Sequence, residues 1–289
     1  MSQSVESTAP STLQDAGQGS LIERVCPHCG SGEFAKMEAY SKDTWRVGEC
    51  GSCSFVYLQN VPVYDRMVEE FSWEKTWTDE RSRRLEERPT TARASLLWRR
   101  LRKPFRRDQQ DMLKDLIEPG PVLDIGCGTG PSIDDDAYTP YGIELSRELY
   151  EISDDKMRKR GGYCVHASAV EGIKQFEEDM FGGVIMRSFL EHEWQPRELL
   201  AGAHRVMRAG GKVFVRVPNF ASWNRTVRGG EWCGFRYPDH VNYFTPDSLR
   251  CMAADCGFSM RLLNPVKVSV DDNIKAVLTK LSPEQGANH

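Results

Sequence analysis

The chain is expected to fold as an α/β domain around a parallel sheet, preceded by a small cysteine-paired module and a helical linker. Three observations lead there. From Pro119 onward, short β-branched runs alternate with stretches of helical spacing. One of these runs, Val122–Ile125, passes straight into a glycine-rich turn, Gly126-Cys-Gly-Thr-Gly130. Nearer the amino end lie two Cys-x-x-Cys pairs, Cys26/Cys29 and Cys50/Cys53, in a segment of different composition. The expected organisation is a disordered leader over 1–20, the cysteine module over 21–60, an Arg-rich helical linker or cap over 61–118, and the α/β domain over 119–289.

With 289 residues, 39% of them apolar, and a formal net charge of −4, the chain can bury a core of useful size. Charged residues make up 28%, and no run approaches the ~20 apolar residues of a membrane-spanning helix. An integral membrane protein of that kind is excluded. Residues 1–20 are rich in Ser, Thr, Gln and Gly and lack an apolar segment, so they read as disordered leader rather than secretory signal. The expected location is the cytoplasm.

Of nine cysteines, spacing explains four. A Cys-x-x-Cys turn puts two thiolates on one knuckle, and two knuckles twenty residues apart complete a tetrahedral set for Zn²⁺. Cys26, Cys29, Cys50 and Cys53 are therefore the expected ligands of a zinc ribbon. Four thiolates leave no open coordination position, so the zinc is structural. Gly30 and Gly51 are expected to relax the backbone beside the knuckles, and His28 to lie on the surface. Basic residues between Cys26 and Cys53 are offset by acidic ones, so the ribbon carries no basic stripe.

The linker is different. From Lys75 to Arg107 there are twelve Lys/Arg against four Asp/Glu, with Leu97, Trp98, Leu101 and Phe105 on one helical face. Either this helix docks on the α/β domain with its Arg face in solvent, or it meets an anionic acceptor: a nucleotide-linked sugar, a lipid phosphate at a membrane surface, or RNA.

In the α/β region the expected strands are Pro121–Gly126, Tyr141–Leu145, Tyr163–Ala167, Gly183–Phe189 and Lys212–Val217. Ser146 caps a helix running to about Arg160, and Gly161-Gly162 stops it. Pro196 starts another, with Leu199, Leu200, Ala203, Val206 and Met207 as its apolar face and Gly210-Gly211 as its end. Alternating strands and helices imply parallel pairing with right-handed crossovers. Glycines in the 126–130 turn let the backbone approach a ligand closely. Asp124 stands two residues before the turn, and Glu144 ends the next strand, where a carboxylate can hold ribose hydroxyls.

Val122-Leu-Asp-Ile-Gly-Cys-Gly-Thr-Gly130 closely resembles the first motif of class I S-adenosylmethionine-dependent methyltransferases. The resemblance implies a Rossmann-like seven-stranded sheet with a reversed last hairpin and S-adenosylmethionine across the carboxyl ends of its first strands. Gly126, Cys127, Gly128 and Gly130 would border the cofactor, Cys127 as packing and not as nucleophile. Asp124 would organise the loop, Glu144 would hold the ribose, Ser168 and Ala169 would flank the adenine, and Leu145 would be a further cofactor-side residue. Met186-Arg-Ser-Phe-Leu-Glu-His192 is similar to a segment of a bacterial small-molecule and saccharide subgroup, which would bring Arg187 and Glu191 to the cofactor side. Glu231–Leu249 looks like that subgroup's acceptor-side insertion. Only thirteen residues separate Gly130 from Glu144, so the helix between them must be very short.

Methyl transfer needs an acceptor held close to the methyl group and, for a protonated acceptor, a base. His192 and His240 are the candidates, with Tyr237 beside His240; each histidine could equally serve only to pin its loop. Glu191 reads as a cap or cofactor-side contact more readily than as a base. Trp223, Trp232 and Phe235 could floor a sugar or aromatic acceptor or pack a lid. The expected activity is transfer to an O, N or C atom of a small-molecule or saccharide acceptor. The alternatives are an RNA methyltransferase gripping nucleic acid through ribbon and Arg stretch, and a non-catalytic scaffold with a reused fold.

Overall fold

The computed structural model describes residues 21–62 and 109–281. The expected leader, the Arg-rich stretch and its Leu97–Phe105 face lie outside the described residues.

Two antiparallel pieces make up the amino-terminal unit. Strands β1 (Leu21–Glu23) and β5 (Asn60–Pro62) pair with each other. Strands β2 (Phe34–Lys36), β3 (Val47–Cys50) and β4 (Val56–Leu58) form a meander. After a short helix α1 (Gln109–Leu116), the α/β domain runs as β6 (Gly120–Ile125), β7 (Tyr138–Glu144), α2 (Arg147–Arg158), β8 (Tyr163–His166), α3 (Ala169–Ile173), β9 (Phe181–Arg187), α4 (Pro196–Val206), β10 (Met207–Pro218), α5 (Trp223–Arg228), β11 (Asn242–Tyr243), α6 (Pro246–Asp255), β12 (Phe258–Leu262) and β13 (Asn273–Lys280).

The expected sheet is present, with strand order β12-β13-β10-β9-β6-β7-β8. The strands from β10 to β8 pair in parallel, and β13 runs antiparallel to both β10 and β12. Helices on both faces cover the parallel strands, so consecutive residues such as Val184, Ile185 and Met186, or Val213, Phe214 and Val215, are all buried rather than alternating with exposed ones. Val184, Met186, Val213 and Val215 are fully buried, and Leu199, Leu200, Ala203 and Val206 of α4 pack onto the sheet as expected. Ser146 caps α2 by accepting from the Leu149 amide.

Four expectations need correction. No helix stands between Gly130 and β7: Pro131 and the Asp134–Asp136 run make a turn, in which the Asp135 carboxylate accepts from the Ala137 amide. Helix α4 ends at Val206, and Gly210-Gly211 lies inside β10 at a register shift between Met207 and Lys212. A sheet bulge, not a helix stop, is what those glycines serve. His28 is buried, because α6 covers the first knuckle and Asp255 takes its Nε2 at 2.9 Å. Finally, the residue in left-handed conformation at the second knuckle is Ser54 (φ 58°), not Gly51.

The ribbon is built into the α/β domain. Strand β11, two residues from the far insertion, adds to the edge of β4, giving the order β11-β4-β3-β2. Cys26, Cys50, Phe55 and Tyr57 share one core with Phe244, Leu249 and Met252. A second cluster joins Val47, Val56 and Leu58 to Phe220, Trp232, Phe235 and Tyr243. Trp232 is buried with its Nε1 donating to Asp272 at 2.8 Å, and Phe235 stacks on Tyr40 of the ribbon. These two aromatics fasten the ribbon, whereas Trp223 is exposed.

Candidate active site

Ligands of open α/β sheets sit beyond the carboxyl ends of the strands, where the winding direction reverses. Here that point is β6, flanked by β7 on one side and β9 on the other. The turn leaving β6 has Gly126, Gly128 and Gly130 at φ 67°, 59° and 145°. A side chain at Gly126 would strike the Phe189 ring at 2.5 Å, whereas one at Gly128 would meet nothing within 4 Å. The turn is thus braced at Gly126 and open at Gly128, while Lys156 lies against Gly130 and donates to the Thr129 carbonyl at 2.6 Å.

Glu144, at the end of β7, closes the other wall. One carboxylate oxygen accepts from the Gly128 amide at 2.8 Å, the other from the amides of Leu145 (2.9 Å) and Ser146 (3.0 Å). Asp124 lies beneath the loop and accepts from the Ser132 amide at 2.8 Å. Burial pushes its carboxyl up to about 6, against the pull of that hydrogen bond and of Arg187. Arg187 itself is exposed at the end of β9. Cys127 is buried, its Sγ 3.0 Å from Ser153 Oγ and 3.6 Å from Cys164 Sγ, and its thiol is held well above the usual range by Cys164 and burial. That environment suits packing and not nucleophilic attack. Ser168 caps α3 and Ala169 is buried behind it.

Beyond β9 the chain turns through Ser188, at φ 55°, into Glu191 and His192. The insertion folds back onto this turn: Val241 and Asn242 amides donate to the Glu191 carbonyl, and Asn242 Nδ2 donates to the carbonyls of Leu190 and Glu193. His192 and His240 are thereby brought edge to face, ring centroids 4.7 Å apart. Asp239 Oδ1 holds His192 Nδ1 at 2.8 Å, while its other oxygen pairs with Arg236 at 2.8 Å. Burial opposes the charge on His192, yet Asp239 outweighs it and lifts the imidazole to about 9; burial likewise opposes charge on Asp239, which His192 outweighs to hold it near 2. His240 is driven down to about 3 by burial and by the charge on His192, and its Nδ1 donates to the Gly234 carbonyl at 2.7 Å. Glu191 is 1% exposed, and burial raises it to about 7. Tyr237 points the other way, its hydroxyl donating to the Tyr40 carbonyl.

Sequence reasoning missed what holds this cluster. Asp239 adjoins His240, but no signal separates it from other loop acids. Arg24 has none at all: its guanidinium reaches from the ribbon to the carbonyls of Leu58, Val241 and Trp194 and to Asn242 Oδ1, at 2.9–3.3 Å. Arg24→Met is expected to leave these acceptors unpaired and cost about 2 kcal/mol, read as a lower urea midpoint with unchanged m value.

The four ribbon thiols lie within 4.8 Å of one another, with Cys26–Cys53 and Cys29–Cys50 Sγ separations of 3.5 Å. A tetrahedron of Zn–S bonds of ~2.3 Å sets sulfurs just under ~4 Å apart, so the set fits zinc. A surface hollow of about 290 Å³ beside Gly182 and Arg208–Lys212 opens at the amino end of β9 and is not this site. Among the described residues, no helix is long and apolar enough to cross a membrane.

Sheet order, the reversed β13 and the glycine turn define the class I methyltransferase fold. A family model described as a methyltransferase domain matches residues 97–263. The chain belongs to that methyltransferase-domain family. A ubiquinone biosynthesis O-methyltransferase from Burkholderia pseudomallei is 26% identical over 149 residues, covering 48% of this chain and 64% of the relative. One from Methylococcus capsulatus is 24% identical over 154 residues, covering 48% and 63%. The chain thus spans somewhat less than two thirds of these relatives. A solved SAM-dependent methyltransferase from Thermotoga maritima covers 59% of this chain, and 87% of its own, at 19% identity and a TM-score of 0.44.

Proposed function

We propose that this chain transfers the methyl group of S-adenosylmethionine to a heteroatom or carbon of a small-molecule or saccharide acceptor, with oxygen the favoured atom. The observation that carries this is the juxtaposition across β6 and β9: a glycine turn beside Glu144, braced by Phe189, and just beyond Phe189 the Glu191–His192–His240 cluster. The relatives' printed name, an O-methyltransferase, agrees with oxygen. Residues 26, 29, 50 and 53 are assigned to a structural zinc.

When bound, S-adenosylmethionine supplies an electrophilic methyl group on a sulfonium. Gly126–Gly130 would take its amino-acid end, and Glu144 its ribose hydroxyls, in competition with the Gly128 amide. Leu145, Ser168 and Ala169 would line the base. The cluster would handle the acceptor proton: Asp239 orients His192 and favours its charged form, and the Gly234 carbonyl fixes the tautomer and orientation of neutral His240. The insertion and the ribbon behind it keep both rings in place.

Glu144→Ala is expected to weaken S-adenosylhomocysteine binding about 30-fold by calorimetry, an effect of roughly 2 kcal/mol. Wild-type affinity in the variant would refute the ribose assignment. Radiolabelled transfer into fractionated extract tests the acceptor class; label in nuclease-sensitive RNA would overturn the small-molecule reading.

A further inference from the structure

Three lone-pair donors converge beside the sheet with no hydrogen bond among them. A carboxylate oxygen of Glu191 and one ring nitrogen each of His192 and His240 lie within 4.8 Å of one another. Carbonyl oxygens accept from Nδ1 of both rings, that of Asp239 at 3.0 Å and that of Gly234 at 2.7 Å. A carbonyl can only accept, so both Nδ1 atoms carry hydrogen; Nε2 is left bare on neutral His240, and on His192 a bound cation displaces the Nε2 proton. Glu191 Oε2 is buried and has no hydrogen-bond partner among the described residues. A buried oxygen without a partner, on a carboxylate that two imidazoles approach, is poorly solvated by its own protein.

We propose that Glu191, His192 and His240 bind one divalent transition-metal cation, distinct from the ion of the four cysteines. Imidazole and carboxylate ligands suit Zn²⁺, Fe²⁺, Co²⁺ or Mn²⁺, whereas the thiolates of the ribbon select zinc. Metal-bound histidines characteristically donate their second ring nitrogen to a carboxylate or carbonyl, and here Asp239 and Gly234 already fill that role. Bonds of ~2.0–2.2 Å require the three ligand atoms to draw in somewhat, which small rotations of the rings accomplish. Three protein ligands leave open positions on the ion. Resting on the methyl-transfer reading, those positions take an oxygen of the acceptor and lower the pKa of its proton. Phe189, two residues before Glu191 and against Gly126, sets the ion on the same side of the sheet as the glycine turn.

The test titrates Co²⁺ into the full chain with zinc already in the ribbon and follows visible absorption, with S-adenosylhomocysteine affinity measured on the same samples. Expected is one equivalent of Co²⁺ with ligand-field bands and no sulfur-to-cobalt charge transfer. Glu191→Gln and His240→Gln should each weaken it at least about 100-fold, and Asp239→Asn about 10–100-fold through orientation alone. Wild-type protein that takes up no Co²⁺, shows only thiolate charge transfer, or binds it equally after Glu191→Gln overturns the proposal. The wild-type measurement decides even where a variant fails to fold. Cofactor binding without Co²⁺ uptake sinks the metal site and leaves the methyl-transfer reading intact; Co²⁺ uptake without cofactor binding does the reverse.

Discussion

Removal of the zinc proposed for the ribbon, by Cys29→Ser together with Cys50→Ser, is expected to abolish methyl transfer while S-adenosylhomocysteine affinity stays within about tenfold of wild type. Structural zinc contributes on the order of 10–16 kcal/mol to folding of small modules that bind it, so the ribbon should come apart without it. The reach of that damage depends on where the ribbon is attached. Phe55 packs edge-on against Phe244 at 5.2 Å, β4 pairs with β11, and Arg24 holds the turn after β9. All three contacts reach the insertion and the Glu191–His192 turn. None reaches Gly126–Gly130 or Glu144. Near-ultraviolet circular dichroism from the Tyr40–Phe235–Tyr237 stack should collapse in parallel with activity. A double variant that kept full turnover would show that the ribbon is an appendage; one that lost cofactor affinity by a thousandfold would show that it supports the whole sheet.

Gly126→Ala should act in the opposite way. Its φ of 67° is costly for a residue with a Cβ, by about 1–2 kcal/mol, and the added methyl would lie 2.5 Å from Phe189 Cδ2. Relief requires either the loop or the Phe189 ring to move, and both border the cofactor side. The expected result is a loss of about 100-fold in S-adenosylhomocysteine affinity with zinc content unchanged. Because Phe189 leads into Glu191, the variant should also perturb the histidine cluster. Unchanged affinity would mean that the glycine turn is not where the cofactor binds.

The sheet was legible because its parallel strands are buried on both faces, so Val122–Ile125 and Val213–Val217, each apolar but for one charged residue, stand out between turn signals. The four cysteines were legible because metal geometry imposes a local spacing. The short segment before β7 was harder: Pro131 and three consecutive Asp argue against a helix interior, and the turn they form is stabilised by side-chain hydrogen bonds that spacing rules do not count. His28 escaped because its burial comes from Asp255, 227 residues away. Arg24 and Asp239 escaped for the same reason. Their partners are set by how the insertion closes over the ribbon, and no local pattern in either segment records that closure. Trp232 and Phe235 read equally as acceptor floor or packing because aromatic residues serve both, and only the tertiary arrangement separates them.

Strand β11 has a consequence for how the chain is made and dissected. The ribbon leaves the ribosome early, but β4 offers an unpaired edge until Asn242 and Tyr243 have been synthesised. During that interval its backbone donors and acceptors are open to any extended peptide, including those of neighbouring nascent chains. A fragment cut between ribbon and sheet therefore exposes Val56, Tyr57 and Leu58, all buried in the whole protein, and should aggregate. Shuttling the ribbon between related enzymes as a detachable cassette would fail unless the matching two-residue strand from the insertion travelled with it.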